Sequence, residues 1–171
     1  MRALIVGVIV LINFILQSTV FGYIAILDIV PNTALIFVVC YAILRGDVEG
    51  GIVGLASGLL RDIFFAPYFL GLNALLCMLA GYLCGKPFKH FFRENYVAPV
   101  ILTAVSMLIY GILFYLVMFL PQGGTNFAGV FAYTVLPETV YTVIFALPLY
   151  HLVYRINFRL ENYEKKRRSM F

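Results

Sequence analysis

The sequence predicts an all-α integral membrane protein with six transmembrane helices. Of its 171 residues, 63% are hydrophobic and 12% are charged, and the mean hydropathy is +0.99. A soluble domain carries about 25% charged residues. Several apolar runs, each close to the roughly 20 residues that a bilayer requires, follow one another along the chain. We therefore expect one membrane domain and no soluble catalytic or binding domain.

The first two spans are expected at residues 3–21 and 29–45, because the apolar stretch is too long for a single helix and lacks a signal-peptide cleavage site. Asn13 and Gln17 lie four residues apart on one helix face, and such amides are expected to face other helices. Pro31 suits the first turn of the second helix, where the missing N–H of proline has no cost. The other spans are expected at 48–65, 68–85, 96–120 and 130–154, followed by a basic tail at 155–171.

Gly50, Gly54 and Gly58 recur every four residues and form a smooth stripe on one face of the third span. A face without side chains lets another helix approach at backbone distance. Two alternatives are open for this stripe: it packs against another helix of the same chain, or it docks the membrane helix of a partner. A turn at Ala66–Tyr68 is expected to connect this span to the fourth.

Arg61, Asp62 and Glu138 are the charges that fall clearly within apolar runs, and charge inside a membrane marks a functional site. Arg61 is expected to pair with Glu138 across two spans, or otherwise with Asp62. Because Asp62 lies near a helix C-terminus, where negative charge is unfavourable, a compensating contact is expected for it. The alternative is that Arg61 and Asp62 end the third helix and reach interfacial water.

Eleven of the twelve Lys and Arg residues fall on one side of the membrane when the gaps between six spans are counted alternately; Arg61 is the exception. The positive-inside rule then places both termini in the cytoplasm of a multi-pass protein. The net charge of +4 is explained by this topology and by anionic lipid of the inner leaflet. Nucleic acid is not an expected partner.

The segment Leu55–Gly58 resembles the serine motif of rhomboid intramembrane proteases, and His151 on the last span is a potential base. However, Leu55 stands where that motif has its first glycine, and His151 lies at the cytoplasmic edge, shallower than Ser57. No cysteine spacing typical of a metal site is present. We therefore expect no enzymatic activity, no metal and no cofactor.

Several short motifs carry a resemblance to a known family. They are Leu16–Thr19 at the end of the first span, Pro31–Asn32, Gly54–Asp62, Leu70–Leu75, Glu138 with Tyr141, and Ala146–Tyr150. With these residues the chain resembles the rod shape-determining MreD family over nearly its whole length. Many members have Asp after the proline of the second span, where this chain has Asn32.

The resemblance implies a non-enzymatic membrane subunit of the bacterial elongation (Rod) complex, which organises lateral peptidoglycan synthesis and rod cell shape. It also implies a fold similar to the substrate-binding subunits of energy-coupling-factor vitamin transporters. An alternative function is therefore a vitamin-type, small-molecule-binding subunit of an importer. The candidate ligand contacts of that alternative are Gln17, Asn73, Tyr110 and Glu138.

The partners that the resemblance implies are MreC, MreB and the RodA–penicillin-binding-protein synthase, the last two directly or indirectly. The docking alternative for the glycine stripe then becomes specific. We hypothesise that Gly50, Gly54 and Gly58, with Asp62 at the outer end, contact the single membrane helix of an MreC-like protein in the bacterial cytoplasmic membrane.

Overall fold

The structure is a computed structural model that describes residues 2–23, 29–65, 70–88, 97–118 and 127–168. Its helices are α1 (Arg2–Tyr23), α2 (Thr33–Arg45), α3 (Asp47–Phe65), α4 (Leu72–Phe88), α5 (Val97–Met118), α6 (Phe127–Val130) and α7 (Leu136–Arg168). A π-helical turn, Phe131–Val135, joins α6 to α7 without a break, so these residues form six helical segments. The predicted turn at Ala66–Tyr68 and the last three residues of the predicted tail lie outside the described residues.

The all-helical fold class is confirmed over these ranges. Two stretches are long and apolar enough to cross a membrane, Val97–Val117 and Phe131–Leu160. Three more helices are apolar but shorter: Leu4–Val20, Thr33–Arg45 and Leu72–Lys86. The count of six spans and their orientation stay predictions.

The second helix, α2, is the centre of the bundle. All residues from Leu35 to Leu44 are buried, which is the pattern of a helix that is apolar on every side and surrounded by other helices. It contacts α1, α3, α4, α5 and α7. Its 13 residues span about 20 Å, less than the roughly 30 Å of bilayer hydrocarbon. We infer that α2 depends on its neighbours for burial rather than on contact with lipid.

The start of α2 differs from the prediction. Asn32 is the N-cap, and its Oδ1 accepts a hydrogen bond from the N–H of Leu35 at 3.2 Å. Pro31 therefore precedes the cap and does not occupy the first turn of the helix. The carbonyl of Pro31 accepts from the N–H of Thr33 at 3.0 Å. Pro31 is thus the last residue before the helix, and Asn32 caps its first turn.

The pair α3 and α4 has the most extensive helix–helix contact in the described part of the chain, and glycines set the separation of the two helices. A Cβ on Gly54 would overlap the carbonyl of Cys77, and a Cβ on Gly58 would overlap the backbone of Ala74. A Cβ on Gly50 would lie 2.9 Å from the carbonyl oxygen of Gly81. The structure thus shows the first of the two alternatives, in which the glycine stripe packs against another helix of the same chain.

The hypothesis that MreC docks on the glycine stripe is corrected by this arrangement. Gly50, Gly54 and Gly58 are buried. The space above them is filled by α4 and, at Gly50, also by Ala42 of α2. A second helix could approach this face only by displacing α4, because glycine faces stabilise a helix pair through backbone contact. Any partner that contacts α3 has to use another of its faces.

The last helical segment is longer than the predicted span. It continues to Arg168, so the predicted basic tail is helical as far as it is described. The π-helical turn near its start was not predicted, and such turns are frequent at functional sites. There α5 approaches closely, since a Cβ on Gly111 would lie 2.5 Å from Cγ1 of Val135.

Candidate functional site

Polar side chains from all six helical segments gather at one end of the bundle. They lie in the second half of α1, at the start of α2, near the end of α3, at the start of α4, in the second half of α5 and near the start of α7. We call this set the polar layer; it comprises Asn13, Gln17, Asn32, Thr33, Arg61, Asp62, Asn73, Tyr110, Glu138 and Thr142.

Asp62 is fully buried and is bound by the N-terminus of α4. Its Oδ2 accepts from the N–H groups of Gly71 at 3.0 Å and Ala74 at 2.9 Å. Its Oδ1 accepts from Asn73, at 3.3 Å from the backbone nitrogen and 2.7 Å from Nδ2. The predicted compensating contact is therefore present, because the positive end of α4 stabilises a carboxylate that the C-terminus of α3 disfavours.

The position of Gly71 makes this contact possible. Its φ of 103° lies in the region that favours glycine, and its N–H points at Asp62. Asp62 thus supplies from α3 the acceptor that an N-cap side chain normally supplies to its own helix. The alternative in which Asp62 reaches interfacial water does not apply to this buried carboxylate.

The Asp62 cluster extends to α5 through Asn73. The hydroxyl of Tyr110 donates to Oδ1 of Asn73 while Nδ2 of Asn73 donates to Asp62. All three side chains are buried. A buried polar network of this kind holds its members in one arrangement, because each broken hydrogen bond leaves a costly unpaired group. It therefore fixes α3, α4 and α5 relative to one another.

A second network joins α1, α2 and α7. The hydroxyl of Thr33 lies 2.8 Å from Oδ1 of Asn13 and 3.0 Å from Oε1 of Gln17. Oε1 of Gln17 also accepts from the N–H of Ala34 at 3.1 Å. The N–H of Asn32 donates to Oγ1 of Thr142 at 3.1 Å. The prediction that Asn13 and Gln17 face another helix is confirmed.

Arg61 does not form the predicted ion pair. Among the described residues, an ion pair within 4.0 Å is found only between Arg45 and Glu49, whose Nε and Oε2 are 3.2 Å apart. Arg61 interacts electrostatically with Glu138 and Asp62 without forming an ion pair within 4.0 Å. Its Nη1 is buried with no hydrogen-bond partner. The hydrogen-bonding groups of Asp62 are taken up by α4, which leaves the guanidinium with unused donor capacity.

A cavity of about 310 Å³ lies beside Arg61, between α1, α2 and α3. The polar residues that line it are Asn13, Gln17, Ser18, Ser57 and Arg61, and the apolar ones are Val10, Phe14, Val30, Ala34 and Phe65. Asn73, Tyr110 and Glu138 do not line it. The structure therefore brings Gln17 and Arg61 together at a cavity and assigns Asn73 and Tyr110 to the network around Asp62.

The structure does not assemble a serine protease site. Ser57 is buried and lines the cavity, whereas His151 follows Glu138 on α7 by 13 positions, or about 20 Å along the helix. Across the described ranges, no group of three or more His, Cys, Asp and Glu side chains could hold a metal ion. What the polar layer can do is fix helices to one another and present hydrogen-bond donors to the cavity.

Sequence reasoning missed two members of the polar layer, Thr33 and Thr142. Both are buried, but a threonine in an apolar run carries no signal for the helix it will face. The motif Pro31–Asn32 was not interpreted as a helix cap, although an asparagine before an apolar helical run is a typical N-cap signal. That signal could have predicted the capping hydrogen bond.

One comparison with known proteins gives a match. The model of a protein family described as rod shape-determining protein MreD matches residues 1–157 of the 171-residue chain. Neither a curated protein nor a solved structure matches the chain significantly. The match covers the entire polar layer and ends within α7. The similarity to energy-coupling-factor subunits stays a prediction.

Proposed function

Because the chain belongs to the MreD family of rod shape-determining proteins, we propose that it is a non-enzymatic membrane subunit of the Rod complex. In that role it organises lateral peptidoglycan synthesis by holding other membrane proteins. The observation that carries the proposal is the family match over residues 1–157. The protein lies in the cytoplasmic membrane with six spans and cytoplasmic termini, as the distribution of Lys and Arg favours.

The proposed docking partner is the single membrane helix of MreC, and the proposed docking surface is the outer face of α3. Ile52, Leu55, Leu59 and Ile63 are exposed on this face and follow one another at spacings of three and four residues, which is the spacing of one helical stripe. The opposite, glycine-bearing face is already filled by α4. A ridge of four large apolar side chains can pack into the groove of a partner helix.

Contacts with MreB and the RodA–penicillin-binding-protein synthase are proposed to be direct or to run through MreC. The cytoplasmic end of α7 offers one direct route. The helix has 33 residues, or about 50 Å, which exceeds the roughly 30 Å of hydrocarbon. Its end carries the basic residues Lys165–Arg168, which favour anionic lipid headgroups of the inner leaflet.

The alternative proposal, a small-molecule-binding subunit of an importer, is favoured by one observation. The cavity of about 310 Å³ is within the range of small-molecule sites, and Gln17 lines it. Of the other candidate ligand contacts, Asn73 and Tyr110 are engaged in the network around Asp62, and Glu138 is not part of the lining. This alternative is therefore the weaker one.

Purification in mild detergent tests the two proposals against each other. We expect a protein with one membrane helix and a coiled coil to copurify with the full-length chain, and depletion of the chain to turn rods into spheres. A tightly bound vitamin-like molecule, with normal rods after depletion, would contradict the Rod-complex role and support the importer.

A further inference from the structure

The cavity between α1, α2 and α3 offers donors without matching acceptors. Nη1 of Arg61 is buried with no hydrogen-bond partner. Gln17 turns its Oε1 to Thr33 and Ala34, so its amide nitrogen points elsewhere, and no hydrogen bond from that nitrogen is found within the described ranges. Asn13, by contrast, uses both its amide oxygen and its amide nitrogen on Thr33.

The charge of the lining is one-sided as well. Among the described residues that line the cavity, Arg61 is the charged one, and none of them is a carboxylate. Asp62, its neighbour, faces α4 and is bound there by four hydrogen bonds. A ligand that complements a guanidinium and an amide N–H is an anion with several acceptor oxygens, such as a phosphate or a carboxylate.

A second cavity indicates that the anion carries a hydrocarbon part. This apolar groove of about 660 Å³ runs between α1 and α3 and is lined mainly by aliphatic side chains, among them Val6, Leu11, Ile52 and Leu60. Val10 lines both cavities. The polar cavity lies near the end of α3, and the groove follows the same helix toward its start. Together, the polar cavity and the apolar groove fit a ligand that has a polar head followed by a hydrocarbon chain.

We propose that the cavity binds the phosphate group of an anionic membrane lipid, whose hydrocarbon chain lies in the groove between α1 and α3. Arg61 binds the phosphate oxygens by charge-assisted hydrogen bonds, and Gln17 donates a further one. In the predicted topology, Arg61 follows the start of α3 by 14 positions, or about 21 Å, so the headgroup belongs to the outer leaflet. The groove shares Ile52 with the proposed docking face of α3, whereas the phosphate end of the site, at Arg61 and Gln17, is separate from that face.

The test uses the full-length protein in mild detergent, depleted of lipid, and measures thermal unfolding and bound mass. The probes are dihexanoyl phosphatidic acid, the neutral dihexanoylglycerol and inorganic phosphate at equal concentrations. The variants are Arg61→Gln, which removes the cation, and Ala34→Phe, which fills the cavity and keeps the cation. Lys86→Gln is the control, because Lys86 is exposed and lies over the ring of Tyr82, 4.5 Å from its centroid.

We expect phosphatidic acid alone to raise the unfolding temperature of the wild type and of Lys86→Gln, and to remain bound in native mass spectrometry. Both cavity variants should weaken its apparent affinity about tenfold or more, Arg61→Gln through the loss of a charge-assisted hydrogen bond and Ala34→Phe through steric exclusion of the headgroup. Undiminished binding by either well-folded cavity variant would overturn the proposal. Equal stabilisation by inorganic phosphate would show that the ligand is a soluble anion, and equal stabilisation by dihexanoylglycerol would show that no anion is recognised.

Discussion

Asp62 on α3 and Asn73 on α4 are joined twice, through the backbone N–H and through the side-chain amide of Asn73, whose Nδ2 lies 2.7 Å from Oδ1 of Asp62. The contact forms where the C-terminus of α3 meets the N-terminus of α4. Both residues are buried. A buried carboxylate is thereby placed where a helix dipole and four donors stabilise it.

Replacement of Asp62 should destabilise the bundle. Asp62→Asn keeps the size of the side chain but brings an NH₂ group against donors of α4, so at least one buried N–H loses its acceptor. The expected cost is about 2 kcal/mol or more, which corresponds to a fall of about 5 °C in unfolding temperature. Asp47→Asn, the same change at the other end of α3, is the control and should shift the temperature little. Equal effects of both changes would contradict the assigned role.

Large side chains on the glycine stripe should prevent folding. Gly54→Leu and Gly58→Leu would each place a side chain where the α4 backbone lies, so we expect little monodisperse protein in size-exclusion chromatography. The matched control is Gly7→Leu on α1, because a Cβ on Gly7 has nothing within 4 Å. If Gly54→Leu elutes like Gly7→Leu, α3 and α4 are not held together by this stripe.

Loss of the hydroxyl of Thr142 should weaken the attachment of α2 to α7. Thr142→Val leaves the buried N–H of Asn32 without the acceptor that lies 3.1 Å away. The expected cost is about 1–3 kcal/mol. Thr134→Val is the control, since Thr134 is exposed on the π-helical turn. Thermal unfolding in detergent measures both, and a Thr142→Val protein as stable as the control would exclude a structural role for this hydrogen bond.

The sequence contains the information for part of this arrangement. Glycines every fourth residue predict close helix packing because the period of a helix places them on one face, and a carboxylate at a helix C-terminus predicts a compensating contact. The identity of that contact, the N-terminus of α4 with Asn73, depends on how two helices meet after a turn. Local periodicity does not carry that information.

The features that the sequence predicted wrongly or did not predict have physical reasons of the same kind. Arg61 and Glu138 have opposite charges at overlapping depths, but depth along two helices does not give the distance between side chains. The π-helical turn Phe131–Val135 lies two residues before Pro137, whose missing N–H interrupts helical hydrogen bonding there, but a proline alone does not specify a π-helical turn. The cavity beside Arg61 results from the way α1 lies on α2 and α3, which no single helix determines.

Topology can be tested with single cysteines at Gly123 and Ser169 in a background without Cys40, Cys77 and Cys84. An impermeant thiol reagent applied to intact, wall-permeabilised cells should label only the cysteine at position 123, because six spans place that loop outside and the C-terminus inside. Labelling of position 169 alone would reverse the orientation. Labelling of both would exclude six spans.

The central claim, that this protein acts by docking a partner's membrane helix on the outer face of α3, is tested most directly by one paired measurement. Leu55→Trp with Leu59→Trp changes that face, and Val105→Trp with Ile109→Trp makes the same change at the same spacing on the exposed face of α5. Both proteins should fold, and MreC retained on the purified protein is the quantity compared. We expect the α3 variant alone to lose MreC about tenfold or more and to lose rod shape. Normal MreC retention by the α3 variant would contradict the central claim.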